Sequence, residues 1–183
     1  KINVEYLNIG GGFGIIYKEE QAKTASDFAQ QIVPLLKGKN FKLILEPGRF
    51  IVGNSGALVT KVLYVKTTSS GKNFAIIDAG MSDLIRPSLY EAYHEILPVV
   101  QLKAETKKYD VVGPICESGD YLALGREFPE IIPDQCLAVM SAGAYGYAMA
   151  SNYNSRPRPA EIMVMNGEVK VIRRAETYPD LIR

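Results

Sequence analysis

Apolar positions follow two different rhythms along this chain, and the change falls near residue 56. In the first stretch, residues 5–9 and 41–45 are short apolar runs of strand length. Between them Phe28, Ile32, Leu35 and Leu36 recur at three- and four-residue spacing, which predicts a helix over residues 26–36 with one apolar face. Thr24 or Ser26 is placed to cap its start, and Lys37-Gly38 to end it. A glycine cluster, Gly10-Gly11-Gly12-Phe13-Gly14, separates the first run from the helix. Strand, glycine loop, helix and strand make a βαβ unit, whose parallel strands belong in a doubly wound sheet or a TIM barrel.

Beyond Gly56 the pattern changes to short runs rich in Val, Ile and Leu. They fall at residues 58–65, 74–78, 95–102, 106–112, 135–140, 160–165 and 169–173. Turn residues separate several of them: Ser70-Gly71-Lys72, Gly113-Pro114 and Asn166-Gly167. The last pair is the strongest hairpin signal in the chain. This half reads as antiparallel β, closed or nearly closed into a barrel. The expected division is therefore residues 1–56 as α/β and 57–183 as a β domain, with the option that its end packs back on the first unit.

Composition narrows the function classes. The chain has 183 residues, with 21 Lys+Arg against 20 Asp+Glu for a net charge of +1. Nucleic acid wants a basic face, and none is supplied in bulk. No apolar stretch approaches the roughly 20 residues that cross a bilayer. Cys116 and Cys136 are too few for a disulfide framework and lack zinc-ligand spacing, so a reducing cytoplasm is the expected compartment and no metal site is expected. Lys1-Ile2-Asn3-Val4-Glu5 has neither an initiator Met nor a leader's apolar core. It reads either as a chain that begins in the middle of something or as a processed terminus.

Several clusters carry chemistry. A glycine loop between strand and helix lets backbone N–H groups converge on an anion, usually phosphate. A dinucleotide fingerprint fails on spacing, because Ile15 stands where its third glycine belongs. Glu46-Pro47-Gly48-Arg49 puts an acid and a base at the C-terminal end of an apolar strand, which is the active face of a TIM barrel. Arg86 and Tyr90 stand one helical turn apart. Cys116 and Glu117 share a loop with Ser118-Gly119-Asp120, and Gly143-Ala144-Tyr145-Gly146 is small, flexible and aromatic. Each has a plain structural alternative: a tight turn, a surface ion pair, or a buried thiol. His94, the single histidine, is either a proton shuttle or a packing residue, and the sequence around it favours packing. The stretch 103–108 is mixed in charge and reads as solvated surface.

Taken in order, these five motifs resemble the diaminopimelate decarboxylase family, within the alanine racemase-fold pyridoxal phosphate-dependent decarboxylases. Residues 154–161 and 174–181 extend the resemblance nearly end to end. It implies the last two βα units of a TIM barrel followed by a C-terminal β-barrel domain. It implies pyridoxal 5'-phosphate as cofactor, its phosphate held by Gly10, Gly11 and Gly12, with Arg49 and Tyr145 nearby and Gly48 in the same turn. Glu46 faces the pyridine nitrogen and keeps it protonated, which makes the ring a better electron sink. Cys116 is the implied proton donor to the substrate.

Substrate choice follows from charge. Meso-diaminopimelate ends in an ammonium and a carboxylate, whereas ornithine ends in the ammonium alone. Glu117 suits the ammonium, while Arg86 and Tyr90 suit the carboxylate; Arg49 and Tyr145 complete the substrate set. The expected reaction is decarboxylation of meso-diaminopimelate to L-lysine, by a homodimer whose active site is shared across the interface. Relatives acting on carboxynorspermidine, ornithine or arginine are the alternatives, as is a non-catalytic homologue that binds a protein partner. The family also needs a lysine that holds the cofactor covalently, on an early barrel strand. This sequence has thirteen lysines and none in that setting. The expectation is a C-terminal portion that needs an N-terminal barrel segment and has no activity alone.

Overall fold

The computed structural model describes residues 3–17, 23–101 and 105–182. Its first unit is β1 (Tyr6–Asn8), α1 (Ala25–Leu36) and β2 (Lys42–Ile44). β1 and β2 pair in parallel, with Tyr6 opposite Lys42 and Asn8 opposite Ile44. The pairing continues past both strand ends, where the Glu46 N–H donates to the Gly10 carbonyl at 2.8 Å. The glycine loop and Glu46 are thereby held side by side.

Thr24 caps α1 through a reciprocal box with Asp27. Those hydrogen bonds from Thr24 hold the Asp27 carboxyl below its ordinary range. The apolar face expected on this helix needs a correction. Phe28 and Ile32 are half-covered, Phe28 stacking at 4.4 Å on Phe13, but Leu35 is 69% exposed and no residue of α1 is buried. Pro34 lies inside the helix and removes one backbone donor from its last turn.

The main body is a six-stranded sheet. Its strands are β3 (Leu58–Thr67), β4 (Asn73–Ile77), β5 (Ile96–Pro98), β6 (Thr106–Val112), β7 (Tyr121–Pro129) and β8 (Cys136–Val139). A short helix, α2 (Arg86–Tyr90), lies between β4 and β5. The spatial order is β5-β8-β3-β4-β6-β7. The buried core runs through Val62, Ala75, Ile77, Leu84, Val111, Leu122, Leu137 and Val139. Each large aliphatic side chain buried this way contributes about 1.5–3 kcal/mol.

Three expectations change here. The sheet is mixed, because β4 and β6 pair in parallel. The long excursion through α2 and β5 brings the chain back to the end from which β4 began, which a short hairpin turn does not do. The strand expected over 95–102 shortens to Ile96–Pro98, since Val99 and Val100 turn away into solvent; Leu102, and Lys103 of the stretch read as surface, lie outside the described residues. β7 lies outside the expected runs, and Gly125 breaks its alternation. There the chain adopts a positive φ of 58°, and the Gly125 N–H donates to buried Asp110 at 2.7 Å beside a register shift.

The Asn166-Gly167 hairpin forms as expected, joining β9 (Glu161–Met165) to β10 (Glu168–Arg173) with both turn residues at positive φ. These two strands make a separate sheet and do not extend the six-stranded one. Arg158, Asn152 and Glu176 tie the chain together before and after the hairpin, and α3 (Tyr178–Leu181) follows. Met163, Val164, Val169 and Val171 remain exposed on the hairpin. Tyr6, Leu43, Ile44 and Leu45 are similarly uncovered on the first unit.

The two halves meet at a close backbone approach. Gly143 lies so near Val52 and Gly56 that a side chain at either glycine would strike main chain. Asn54 adds a bridge, donating to the Ile16 carbonyl at 2.8 Å and to the Ser141 hydroxyl at 3.1 Å. Among the described residues no helix is long and apolar enough to cross a membrane.

Candidate active site

A cavity of about 410 Å³ opens where the glycine loop, the end of β2 and the 142–146 loop converge. Its lining includes Gly12, Phe13, Tyr17, Glu46, Gly48, Arg49 and Tyr145. Gly10 and Gly12 have positive φ, and a Cβ at either would meet nothing within 4 Å. The loop therefore presents backbone to open space. Glu46 reaches the cavity from the end of β2, with its Oε1 accepting from Asn8 Nδ2 at 2.5 Å. Asn8 in turn accepts from the Gly10 N–H at 2.8 Å, so one side chain orients both the acid and the loop.

Arg86 stands behind this cavity at the start of α2. It is 8% exposed, and among the described residues it has no ion-pair partner. Its surroundings are aromatic, and the nearest charge given by a shared partner is the like charge of Arg49. Nη2 donates to the Tyr17 hydroxyl at 3.2 Å, and the Tyr145 and Tyr90 rings lie 5.8 and 5.9 Å from its Cζ. Its Nε is buried with no hydrogen-bond partner. A buried guanidinium without an ion-pair partner is poorly compensated, which suits an anionic ligand. Arg49 donates to the same Tyr17 oxygen at 3.0 Å. The Gly48 turn passes close to Tyr145, whose hydroxyl lies 3.2 Å from where a Gly48 Cβ would stand.

Cys116 and Glu117 lie elsewhere. Both are exposed, and Glu117 lines a second cavity of about 470 Å³ with Met81, Ile85, Ser151 and Tyr153. The reason is helical geometry. Arg86 and Tyr90 are four residues apart on one face of α2, while Ile85 and Ser88 point away from them. Ser88 Oγ donates to the Gly119 carbonyl and fastens the Cys116 turn to that other face. The Tyr153 hydroxyl donates to Glu117 Oε2 at 3.3 Å, and this carboxylate raises the Tyr153 pKa above its ordinary value.

Asp120 fixes the same turn from inside. It is 5% exposed and accepts from the Met81 and Ile115 N–H groups, each at 2.6 Å. His94 is fully buried, with Nδ1 2.9 Å from the Met140 carbonyl. Desolvation holds its pKa below the ordinary value. This is the environment of a packing residue. Sequence reasoning gave no role to Asn8, Tyr17 or Tyr153. Only an outward position two residues before the first glycine hinted at Asn8, and nothing local marked the tyrosines.

Comparison with known proteins places the whole chain in a family. The family described as "Pyridoxal-dependent decarboxylase, C-terminal sheet domain" matches residues 15–143. The chain belongs to this family. Among curated relatives, diaminopimelate decarboxylase of Aquifex aeolicus is 52% identical over 181 residues, covering 98% of this chain and 43% of that protein. Diaminopimelate decarboxylase of Pseudomonas aeruginosa is 46% identical with the same coverage. The chain thus spans less than half the length of these relatives.

Solved structures agree. An Aquifex aeolicus structure superposes with a TM-score of 0.94 at 52% identity, covering 97% of this chain and 44% of that one. Diaminopimelate decarboxylase from Helicobacter pylori complexed with L-lysine gives 0.88 at 43% identity, with 97% and 43% coverage. The more distant lysine/ornithine decarboxylase of Vibrio vulnificus complexed with cadaverine gives 0.74 at 25% identity, with 84% and 42% coverage.

Pyridoxal phosphate is the family's cofactor, and the residues present fit it. The open glycine backbone suits a phosphate, the oriented Glu46 suits a protonated ring nitrogen, and the cavity is of cofactor size.

Proposed function

We propose that this chain is the C-terminal portion of a pyridoxal phosphate-dependent diaminopimelate decarboxylase, which converts meso-diaminopimelate to L-lysine and CO2. The observation that carries the reading is Arg86: nine-tenths buried, flanked by three tyrosines, and without a carboxylate among the described residues. A substrate with a distal carboxylate supplies the missing charge, bound by Arg86 with Tyr90 beside it. Ornithine supplies none and leaves a desolvated cation unpaired.

Pyridoxal phosphate supplies an electron sink for the pair left when CO2 departs. The protein's own residues do the rest. Gly11 and Gly12 would offer backbone donors to the phosphate in the loop that Gly10 opens, the Gly10 N–H being held by Asn8, with Gly48, Arg49 and Tyr145 around it. Glu46, held by Asn8, keeps a proton on the ring nitrogen. Cys116 returns a proton to the substrate carbon, and Glu117 takes the substrate ammonium.

Glu117 lines a different cavity from Glu46 and Cys116 next to it is exposed, an arrangement that supports their serving a second copy of the enzyme in a homodimer. The first βαβ unit fits the last part of a TIM barrel. Its exposed Tyr6, Leu43, Ile44 and Leu45 offer an apolar face for the barrel's remaining units. The following domain, from about residue 57, is read as the C-terminal β-barrel domain, with the six-stranded sheet as its main part. The lysine that holds the cofactor belongs to that remainder. Two free cysteines suit a cytoplasmic setting.

The test is CO2 release by the full-length enzyme from meso-diaminopimelate and from ornithine, with wild type and Arg86→Ala. The wild type should turn over diaminopimelate efficiently. The variant should lose at least about a hundredfold in kcat/KM on diaminopimelate and far less on ornithine, as expected when a charged hydrogen-bonded pair is broken. Equal losses on the two substrates would refute the assignment of Arg86.

A further inference from the structure

We infer that Tyr17 is a positioning residue: it couples Arg49 to Arg86 and so sets how firmly the site grips a carboxylate at the Arg86 end. The inference rests on the decarboxylase reading above and adds a residue to which that reading gives no task. Three separate segments meet at one oxygen. Tyr17 follows the glycine loop, Arg49 follows β2, and Arg86 begins α2. Arg49 Nη1 donates to the Tyr17 hydroxyl at 3.0 Å, and Arg86 Nη2 donates to the same atom at 3.2 Å. The one phenolic oxygen thus accepts from both guanidinium groups.

The choice of a phenol matters electrostatically. Two cations drawn to one point repel each other. A carboxylate at that point would bind both and cancel much of the charge needed for a ligand. A neutral oxygen holds both heads in place and leaves that charge uncompensated. Tyr17 itself is fixed on its inner side, where its ring meets the His94 ring edge-on with centroids 5.7 Å apart. His94 is fully buried and bound to the Met140 carbonyl. The bridge is therefore seated on the core of the sheet domain.

Arg86 is oriented from its remaining sides by the Tyr90 and Tyr145 rings. Among these three tyrosines only Tyr17 gives it a hydrogen-bond acceptor at its head, and only Tyr17 links it to a second cation. Without the hydroxyl, Arg86 keeps its charge but loses the acceptor that holds it for a ligand. The cost should fall on binding of a carboxylate at that end, and not on the bond broken at the other end of the substrate.

The experiment uses Tyr17→Phe in the full-length holoenzyme. Four quantities are read: KM and kcat for meso-diaminopimelate, inhibition constants for L-lysine and cadaverine, and cofactor absorbance. L-lysine keeps the carboxylate distal to the bond that breaks, and cadaverine has none. Losing one hydrogen bond to a charged group should raise KM and the L-lysine inhibition constant about tenfold each. Cadaverine inhibition and kcat should stay within about twofold, with cofactor absorbance unchanged.

Equal weakening of L-lysine and cadaverine would overturn the inference, because it marks a general disturbance of the site. So would a fall in kcat at constant KM, or no change at all. A wild-type enzyme that fails to decarboxylate diaminopimelate would overturn the parent reading instead. In that case the L-lysine to cadaverine ratio still judges the bridge.

Discussion

Replacing Asp120 by Asn should loosen the loop that carries Cys116, by an amount the structure allows to be worked out. The Asp120 carboxylate is buried and accepts two backbone donors, Met81 N–H on Oδ1 and Ile115 N–H on Oδ2. Asparagine keeps the shape but has one acceptor oxygen. Whichever way it turns, its NH2 group faces one of those amides, so one bond is lost and two donors are opposed. A hydrogen bond to a charged acceptor contributes about 1.5–3 kcal/mol, and the orphaned buried amide costs about 1–3 kcal/mol in place of its bond. A net loss of about 3 kcal/mol follows, or roughly a hundredfold in the local opening equilibrium.

There is little slack to absorb the change. A Cβ at Gly80 would already lie 2.7 Å from Asp120 Oδ1, and one at Gly113 would be closer still. The assay is native-state hydrogen exchange on the full-length enzyme, resolved at Met81 and Ile115. Exchange at both amides should accelerate by about two orders of magnitude. The kcat should fall with it, because Cys116 sits between Ile115 and Asp120. Protection unchanged within about twofold at both amides would refute the reasoning.

Two pH-dependent effects follow from burial elsewhere. Desolvation lowers the His94 pKa from 6.5, so the unfolded chain binds a proton that the folded one rejects. Stability should fall as pH drops below about 6.5. His94→Gln should flatten that slope in urea midpoints measured between pH 5 and 7; an unchanged slope would show that His94 is not its source. Asp83 is opposite in sign. Burial raises its carboxyl above the usual 3.8, although the Gly80 N–H and Arg156 oppose the shift. Its contribution is present at acid pH and lost as pH rises through the raised value. Asp83→Asn should therefore stabilise the enzyme at pH 7, with the gain vanishing below about pH 3.8; a gain that persists in acid would sink this account.

Local signals were legible wherever chemistry is local. Thr24, one of the two candidate caps, is the residue that caps α1, in a box with Asp27. Asn166-Gly167 can take positive φ at both positions, and the hairpin forms there. The run ending at Glu46 pairs in parallel with the run before the glycine loop, as a βαβ unit requires. The motif order was enough to point to the decarboxylase family, and the family comparison bears that out.

Other features depend on contacts between distant residues. Gly125 breaks the alternation of β7, yet the strand pairs with β6 on both sides of it and its N–H is taken up by Asp110 on that neighbour. The parallel pairing of β4 with β6 depends on where α2 and β5 return the chain. Leu35 shares helical spacing with Phe28 and Ile32, but no packed neighbour covers it here.

The sequence by itself determined which groups this protein carries: a glycine loop, a strand-end acid, a cysteine-glutamate turn, and an arginine with a tyrosine four residues on. Tertiary structure alone decided which of them share a space. It turned Cys116 and Glu117 to one face of α2 and Arg86 to the other. It brought Tyr17, Arg49 and Arg86 to one oxygen across separations of 32 and 69 residues. Periodicity reports only neighbours a few positions away, whereas burial, charge compensation and shared hydrogen bonds are set by residues that meet only after the chain has folded.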